Sequence, residues 1–257
     1  MSENPQPSIE KVLKLYKSRA EFHGDENAVL DGSILHDLKH TNIIIDYLTR
    51  RALLDYLKPK KDDVIIDFGC GVGRLTFVVA PKVSKIYGLD ISPELLMIAR
   101  KKNQEVKMNN IEFLQIDIEK FDLPEIQFDK IFFVGTLVHI SDHVLEILLP
   151  KIKARLKSNG KIILIEYLKA DKSLSQNNEV IMRSHEHLKN IFEKNKFKIA
   201  LLKPAIRMPS YAITIWKKIN ASFSFLLPFL YLVEKATLKR KSKFVDYYYY
   251  AVEIIMD

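Results

Sequence analysis

Between Val64 and Tyr167 short β-branched and aromatic runs alternate with amphipathic stretches of helical period, and this alternation restricts the fold more than anything else in the chain. The runs are 64–67, 86–90, 111–116, 130–134 and 161–167, rich in residue types that suit a pleated surface. Helices are predicted between them at 73–80, 93–102 and 142–157. Pro93 suits a first helical position, and Gly160 is placed as the terminator after the 142–157 helix. Strands that are apolar at nearly every residue and alternate with helices belong to a parallel sheet covered on both faces. The expected fold class is therefore α/β, doubly wound.

The flanks have a different rhythm. Residues 9–58 read as helical, with Ile43, Ile44, Tyr47, Leu48, Ala52, Leu53 and Tyr56 at helical spacing, until Pro59 and the charged run 60–63 end the region. After Tyr167 a helix is expected at 186–195, a strand at 197–202 and a long Tyr-rich strand at 245–255. The stretch 203–244 is long for a sheet connection and is expected to carry structure of its own. Within it, 219–233 is apolar, broken by Pro228, and preceded by Lys217-Lys218 and followed by Lys239-Arg240-Lys241. It is too short to span a bilayer. It fits a lid with its apolar faces on the core, a surface for an acceptor or partner, or a peripheral membrane contact through 211–243.

The net charge of +8 is unevenly placed: residues 171–257 carry 15 Lys and Arg against 8 Asp and Glu, whereas 1–170 carry 25 against 24. A local positive field attracts phosphates on a lipid, an RNA or a small anion, although a lysine-rich surface gives the same count. The single cysteine, Cys70, excludes a disulfide framework and a cysteine-rich metal site. No apolar leader follows the N-terminus, so the cytoplasm is the expected compartment.

The first strand runs into Asp67-Phe68-Gly69-Cys70-Gly71-Val72-Gly73 and then a helix. Closely spaced glycines after a parallel strand let the backbone turn tightly and approach a ligand at the carboxyl edge of the sheet. A dinucleotide fingerprint needs a glycine where Arg74 stands, which argues against NAD. Asp90 closes the second strand, where an acid can accept hydrogen bonds from ribose hydroxyls. Asp117 closes the third, where a carboxylate can take the exocyclic amine of adenine.

With these residues the sequence resembles the class I, Rossmann-like S-adenosylmethionine-dependent methyltransferases over roughly 60–170. The resemblance implies a seven-stranded, mostly parallel sheet with an antiparallel last strand, and S-adenosyl-L-methionine as cofactor. It implies an organisation of 1–58 as a helical lid and 59–257 as the methyltransferase domain, with an insertion at 204–244. It places Asp67 near the methionine amino group, Gly69, Gly71 and Gly73 in the cofactor turn, Asp90 on the ribose with Ile91 against the adenine, and Asp117 with Ile118 at the adenine edge. The run Phe128–Val134 with Gly135 resembles the fourth-strand motif whose backbone, Val134 included, lines the pocket near the sulfonium, and 157–162 resembles the turn into the fifth strand.

Transfer from a sulfonium is an in-line displacement, in which the protein contributes mainly proximity and orientation. A base is needed only where the acceptor must lose a proton. His139, just after the fourth strand, and Glu166, ending the fifth, are the candidate catalytic groups. Arg183 and His185 resemble the family's Arg-Ser turn, which faces substrate, and Ser184 between them fits a helix N-cap. Tyr16, Arg19 and His36 are polar groups on the N-terminal helices that can meet cofactor or acceptor. The fourth strand lacks the Asn/Asp-Pro-Pro run of enzymes that methylate planar amino groups, no Pro-Cys nucleophile is present, and no acidic or His cluster suggests a metal. The expectation is methyl transfer to an oxygen or nitrogen of a small or lipid-linked acceptor such as a glycan precursor. The alternatives are an RNA methyltransferase that uses the basic C-terminal third, a nicotinamide-dependent oxidoreductase, and an inactive cofactor-binding partner subunit.

Overall fold

The computed structural model describes residues 6–24, 39–116, 123–169, 173–176, 179–208, 215, 224–238 and 247–257. In chain order these form α1 (Ile9–His23), α2 (Lys39–Leu57), β1 (Val64–Phe68), α3 (Thr76–Val79), β2 (Lys85–Asp90), α4 (Pro93–Val106), β3 (Ile111–Gln115) and β4 (Phe128–Val134). Then come α5 (Asp142–Arg155), β5 (Leu156–Leu168), β6 (Leu174–Gln176), β7 (Val180–Met182), α6 (His185–Lys194), β8 (Phe197–Met208), α7 (Leu227–Thr237) and β9 (Tyr247–Met256).

Seven strands make one sheet in the order β3-β2-β1-β4-β5-β9-β8. From β3 to β5 all neighbours are parallel, while β9 runs antiparallel to both β5 and β8. The strand order reverses between β1 and β4, which opens a crevice at their carboxyl ends. Alternate residues of each strand face opposite layers. Ile66, Ile131, Phe133, Ile162 and Leu164 pack on α5 and α6 through Leu145, Leu148, Leu188 and Phe192. Ile65, Phe132 and Ile163 pack on the other side against Leu53, Leu57, Val79, Leu96 and Ala99. A third cluster seats α2 and α7 on the sheet through Ile44, Leu48, Ala52, Leu230, Tyr231, Ile165 and Ile206.

Several boundaries differ from the sequence reading. Ser92 caps α4 by accepting from Leu95 N at 3.2 Å, and Pro93 takes the first helical position as expected. α5 stops at Arg155, because Leu156 already pairs with Phe128 as the start of β5. Gly160 therefore lies inside β5 and ends no helix; a Cβ there would come within 2.5 Å of Leu156. The helix expected at 73–80 is reduced to the four residues of α3, since Gly73 has φ of 76° and cannot be helical. β8 continues through Pro204 to Met208 because the ten-residue β9 offers it partners along its whole length. The connection between the last two strands thus begins after Met208. The small β6–β7 hairpin has no counterpart in the sequence reading; three-residue strands are too short to show a period.

Leu164 is fully buried in the central strand β5, and Leu232 on α7 is 64% exposed. Leu164→Ala is expected to lower unfolding stability by about 2–5 kcal/mol, and Leu232→Ala by no more than about 0.5 kcal/mol. Urea unfolding of the two variants checks this.

Candidate functional site

The cleft at the carboxyl ends of β1 and β2 is built by backbone. Gly69, Gly71 and Gly73 all have positive φ, at 74°, 54° and 76°. Gly69 N and Cys70 N both donate to Leu89 O, at 2.7 and 3.0 Å, which folds the turn over the end of β2. Gly71 N then donates to Asp90 Oδ2 at 2.7 Å, and Ser92 N donates to Oδ1 at 2.9 Å. Asp90 is buried, and burial raises its pKa while the backbone N–H groups of Ser92, Gly71 and Ile91 hold it back. A carboxylate has about four acceptor sites, so capacity for a ligand hydroxyl remains. A side chain at Gly69 would strike Thr136, with Cβ at 2.3 Å from its Cγ2.

Asp67 lies beneath this turn, 3% exposed, and takes a hydrogen bond from Thr76 Oγ1 at 2.6 Å. Burial pushes its pKa up to about 7, partly offset by Thr76 and Arg74. Ile91 is half-buried just past Asp90, and Val134 is half-buried at the end of β4. At Gly135, φ is 64° and an added Cβ would meet nothing within 4 Å, so the backbone here borders open space. Asp117 and Ile118 lie outside the described residues, as does His36.

The opposite wall carries a pairing that the sequence does not reveal. His139 Nδ1 lies 2.8 Å from Glu179 O. A carbonyl only accepts, so Nδ1 bears the proton and Nε2 is left as an acceptor. Tyr16 O–H of α1 donates to that Nε2 at 3.1 Å. The two rings meet edge-on, with centroids 5.5 Å apart. Burial lowers the His139 pKa and pushes the Tyr16 phenol up to about 12. α1 also packs Ala20 against Val72 of the glycine turn and Leu95 of α4. It therefore touches both walls of the cleft, and Tyr16 is its polar contact with the far one.

Glu166 and Arg183 are both buried and bonded within the fold. Glu166 has no exposed surface, and its Oε1 accepts from Thr136 N at 2.7 Å and Leu137 N at 2.8 Å. It holds the turn that carries His139, with Oε2 unpaired among the described residues and the pKa pushed up to about 7 by burial. Arg183 is 2% exposed, and its guanidinium is committed to Asp142 Oδ1, Leu137 O and Ile140 O at 2.8, 2.8 and 2.6 Å, so it is no contact for an acceptor. The other Asp142 oxygen takes His187 Nε2 at 3.0 Å, and Ser173 Oγ donates to His187 Nδ1 at 2.8 Å, which pins α6 and the strand before it to α5. Ser184 caps α6 through His187 N at 3.1 Å, as expected. The His185 ring meets Tyr250 edge-on at 4.4 Å, and its Nε2 is buried with no partner among the described residues. Burial lowers its pKa.

Thr76, Thr136 and the Glu166 clamp carry no signal in sequence, since hydroxyl and acid side chains are common at strand ends. Tyr249 has one, its place in a Tyr-rich strand. Its ring lies 3.7 Å from that of Tyr167, and burial raises its pKa well above the ordinary value. Among the described residues no group of three or more His, Cys, Asp or Glu has the arrangement of a metal site.

Comparison with known proteins adds the following. A family model described as a methyltransferase domain matches residues 59–224. An uncharacterised methyltransferase of Anoxybacillus flavithermus is 28% identical over 128 residues, 50% of this chain and 57% of that protein. The chain spans less than two thirds of the first curated relatives it matches, from 11% to 57% of their length. The geranyl diphosphate C-methyltransferase of Streptomyces coelicolor, solved with Mg2+, geranyl diphosphate and S-adenosyl-L-homocysteine, aligns with a TM-score of 0.64 at 13% identity, over 96% of this chain and 97% of that one. The cyclase SpnF aligns with a TM-score of 0.67 at 17% identity, over 99% of both chains. At such identities the likeness is one of fold.

A pH dependence follows from the buried acids. Asp67 holds its proton more tightly folded than unfolded, so it contributes stability that is complete below its ordinary value of 3.8 and lost as pH rises through about 7. Glu166 acts in the same direction. His139 and His185, with lowered values, act in the opposite one. A comparison of wild type with Asp67→Asn cancels the other groups. Relative to wild type, the variant's melting temperature is expected to climb between about pH 4 and pH 7; parallel curves would contradict the assignment.

Proposed function

The chain belongs to the methyltransferase-domain family, and on that premise we propose that it is an S-adenosyl-L-methionine-dependent methyltransferase acting on an oxygen, or a nitrogen, of a small or lipid-linked acceptor such as a glycan precursor. The observation that carries the cofactor reading is Asp90. Its oxygens are fixed by backbone N–H groups and retain capacity for a ribose hydroxyl, beside three glycines at positive φ. In this reading Asp67 faces the amino group of the methionine moiety, Ile91 packs on the adenine, Val134 borders the sulfonium, and Asp117 with Ile118 takes the adenine edge. The cofactor brings a methyl group already activated on sulfur. Residues 1–58 serve as the lid, with α1 closing on the glycine turn, and 59–257 as the catalytic domain in the cytoplasm.

For a hydroxyl acceptor, Tyr16 and His139 give the proton a route. Tyr16 donates to His139 Nε2, so its oxygen has lone pairs with which to accept the acceptor's O–H. As the acceptor oxygen attacks, its proton passes to Tyr16 and the Tyr16 proton passes to Nε2. His185, whose buried Nε2 has no partner among the described residues, is the candidate for orienting a polar acceptor. A solved structure of the same fold that holds geranyl diphosphate supports a hydrophobic acceptor with a phosphate-bearing end. RNA is the second reading, favoured by the excess of cations in residues 171–257, and a steep loss of affinity with salt would mark it.

Calorimetric titration with S-adenosyl-L-methionine and with NADH tests the cofactor. Saturable binding of the first alone is expected, weakened by about 1.5–3 kcal/mol in Asp90→Ala, the range for hydrogen bonds to a charged group. Binding of NADH alone, or of neither, would overturn the proposal.

A further inference from the structure

α7 is apolar on two opposite faces, and only one of them is spent on the fold. Leu227, Leu230 and Tyr231 are buried in the cluster shared with α2 and the sheet. Tyr231 O–H and Lys235 Nζ both donate to Asp55 Oδ2 of α2 at 2.7 Å, which sets the rotation of the helix about its axis. The outward face then presents Phe229 and Leu232, 60% and 64% exposed, with Phe225 of the preceding turn at 72%. The spacing i, i+4, i+7 keeps the three in one row. Single exposed hydrophobic residues are ordinary, but three bulky ones in a row on a helix whose orientation is fixed are not.

Arg51 and Lys235 are taken up on the inward side of the helix, Arg51 over the Tyr231 ring at 5.4 Å and Lys235 in its ion pair with Asp55, so the charge for an anionic surface comes from the chain that follows. Directly after Leu238 the sequence continues Lys239-Arg240-Lys241-Ser242-Lys243. An apolar face alone or a basic cluster alone gives marginal membrane binding, whereas the two together suffice. At eleven residues α7 is about 16 Å long, far short of the thickness of a bilayer, and no described helix is long and apolar enough to cross one. The same cluster that seats α7 reaches Val134, Ile165 and Tyr249 at the carboxyl edge of β4 and β5, so the helix lies on the side of the cleft.

We propose that α7 docks the protein on an anionic phospholipid surface, with Phe225, Phe229 and Leu232 in the interface and the basic run that follows it in the sequence on the headgroups. This deepens the lipid-linked reading of the acceptor, on which it rests: a bilayer-held acceptor is delivered to a cleft whose flank already lies on the membrane.

The test uses the whole chain and vesicles of phosphatidylcholine, with and without phosphatidylglycerol, in a flotation assay beside a titration with S-adenosyl-L-methionine. The wild type is expected to float with the phosphatidylglycerol vesicles only, and F229D/L232D to lose at least tenfold in vesicle affinity while keeping its melting temperature and cofactor affinity. Failure of the wild type to bind, or equal binding by the variant, overturns the docking. A concentration-dependent dimer that the variant abolishes assigns the face to a second copy and overturns it as well. Cofactor binding without vesicle binding refutes the docking alone; vesicle binding without cofactor binding refutes the enzymatic reading instead.

Discussion

The cleft depends on one buried carboxylate bridging two strand ends. Asp90 sits at the end of β2 and takes Gly71 N from the turn after β1, while the same turn leans on Leu89 O through two further N–H groups. Backbone donors hold the acid in place while it stays buried. The reversal of strand order between β1 and β4 supplies an opening at the carboxyl ends of the strands beside it.

The far wall is organised by the same device in another form. Glu166 accepts from Thr136 N and Leu137 N and so fixes the turn that presents His139. Arg183 ties the next part of that segment, through Leu137 O and Ile140 O, to Asp142 at the start of α5. In sequence both residues read as facing the acceptor; in the fold both determine where His139 stands. The imidazole then has one tautomer, set by Glu179 O, and its free nitrogen meets Tyr16 of the lid. Seating α1 therefore joins the glycine turn, through Ala20 and Val72, to the wall that carries the basic group.

Much of this is legible in the sequence, for identifiable reasons. β-Branched runs and capped helices report the parallel sheet because burial on both faces leaves the strands few polar positions, as in Ile65, Ile66, Ile162 and Ile163. Gly69, Gly71 and Gly73 report the turn because only glycine adopts their φ without strain. What escapes is the pairing of side chains across the fold. His139 with Tyr16 and Glu166 with Thr136 are pairings between unremarkable residues, and spacing along the chain carries no information on them when the partners are 123 residues apart, as Tyr16 and His139 are. Arg183 misleads for a related reason: a guanidinium near a helix start looks the same in sequence whether it faces water or three acceptors within the fold.

The most direct measurement is a crystal structure with S-adenosyl-L-homocysteine bound. The account predicts the ribose hydroxyls within about 2.6–3.2 Å of the Asp90 oxygens, with Gly71 N still on Oδ2 and α1 closed over the nucleoside. A ligand bound elsewhere, or a ribose with no contact to Asp90, would contradict it.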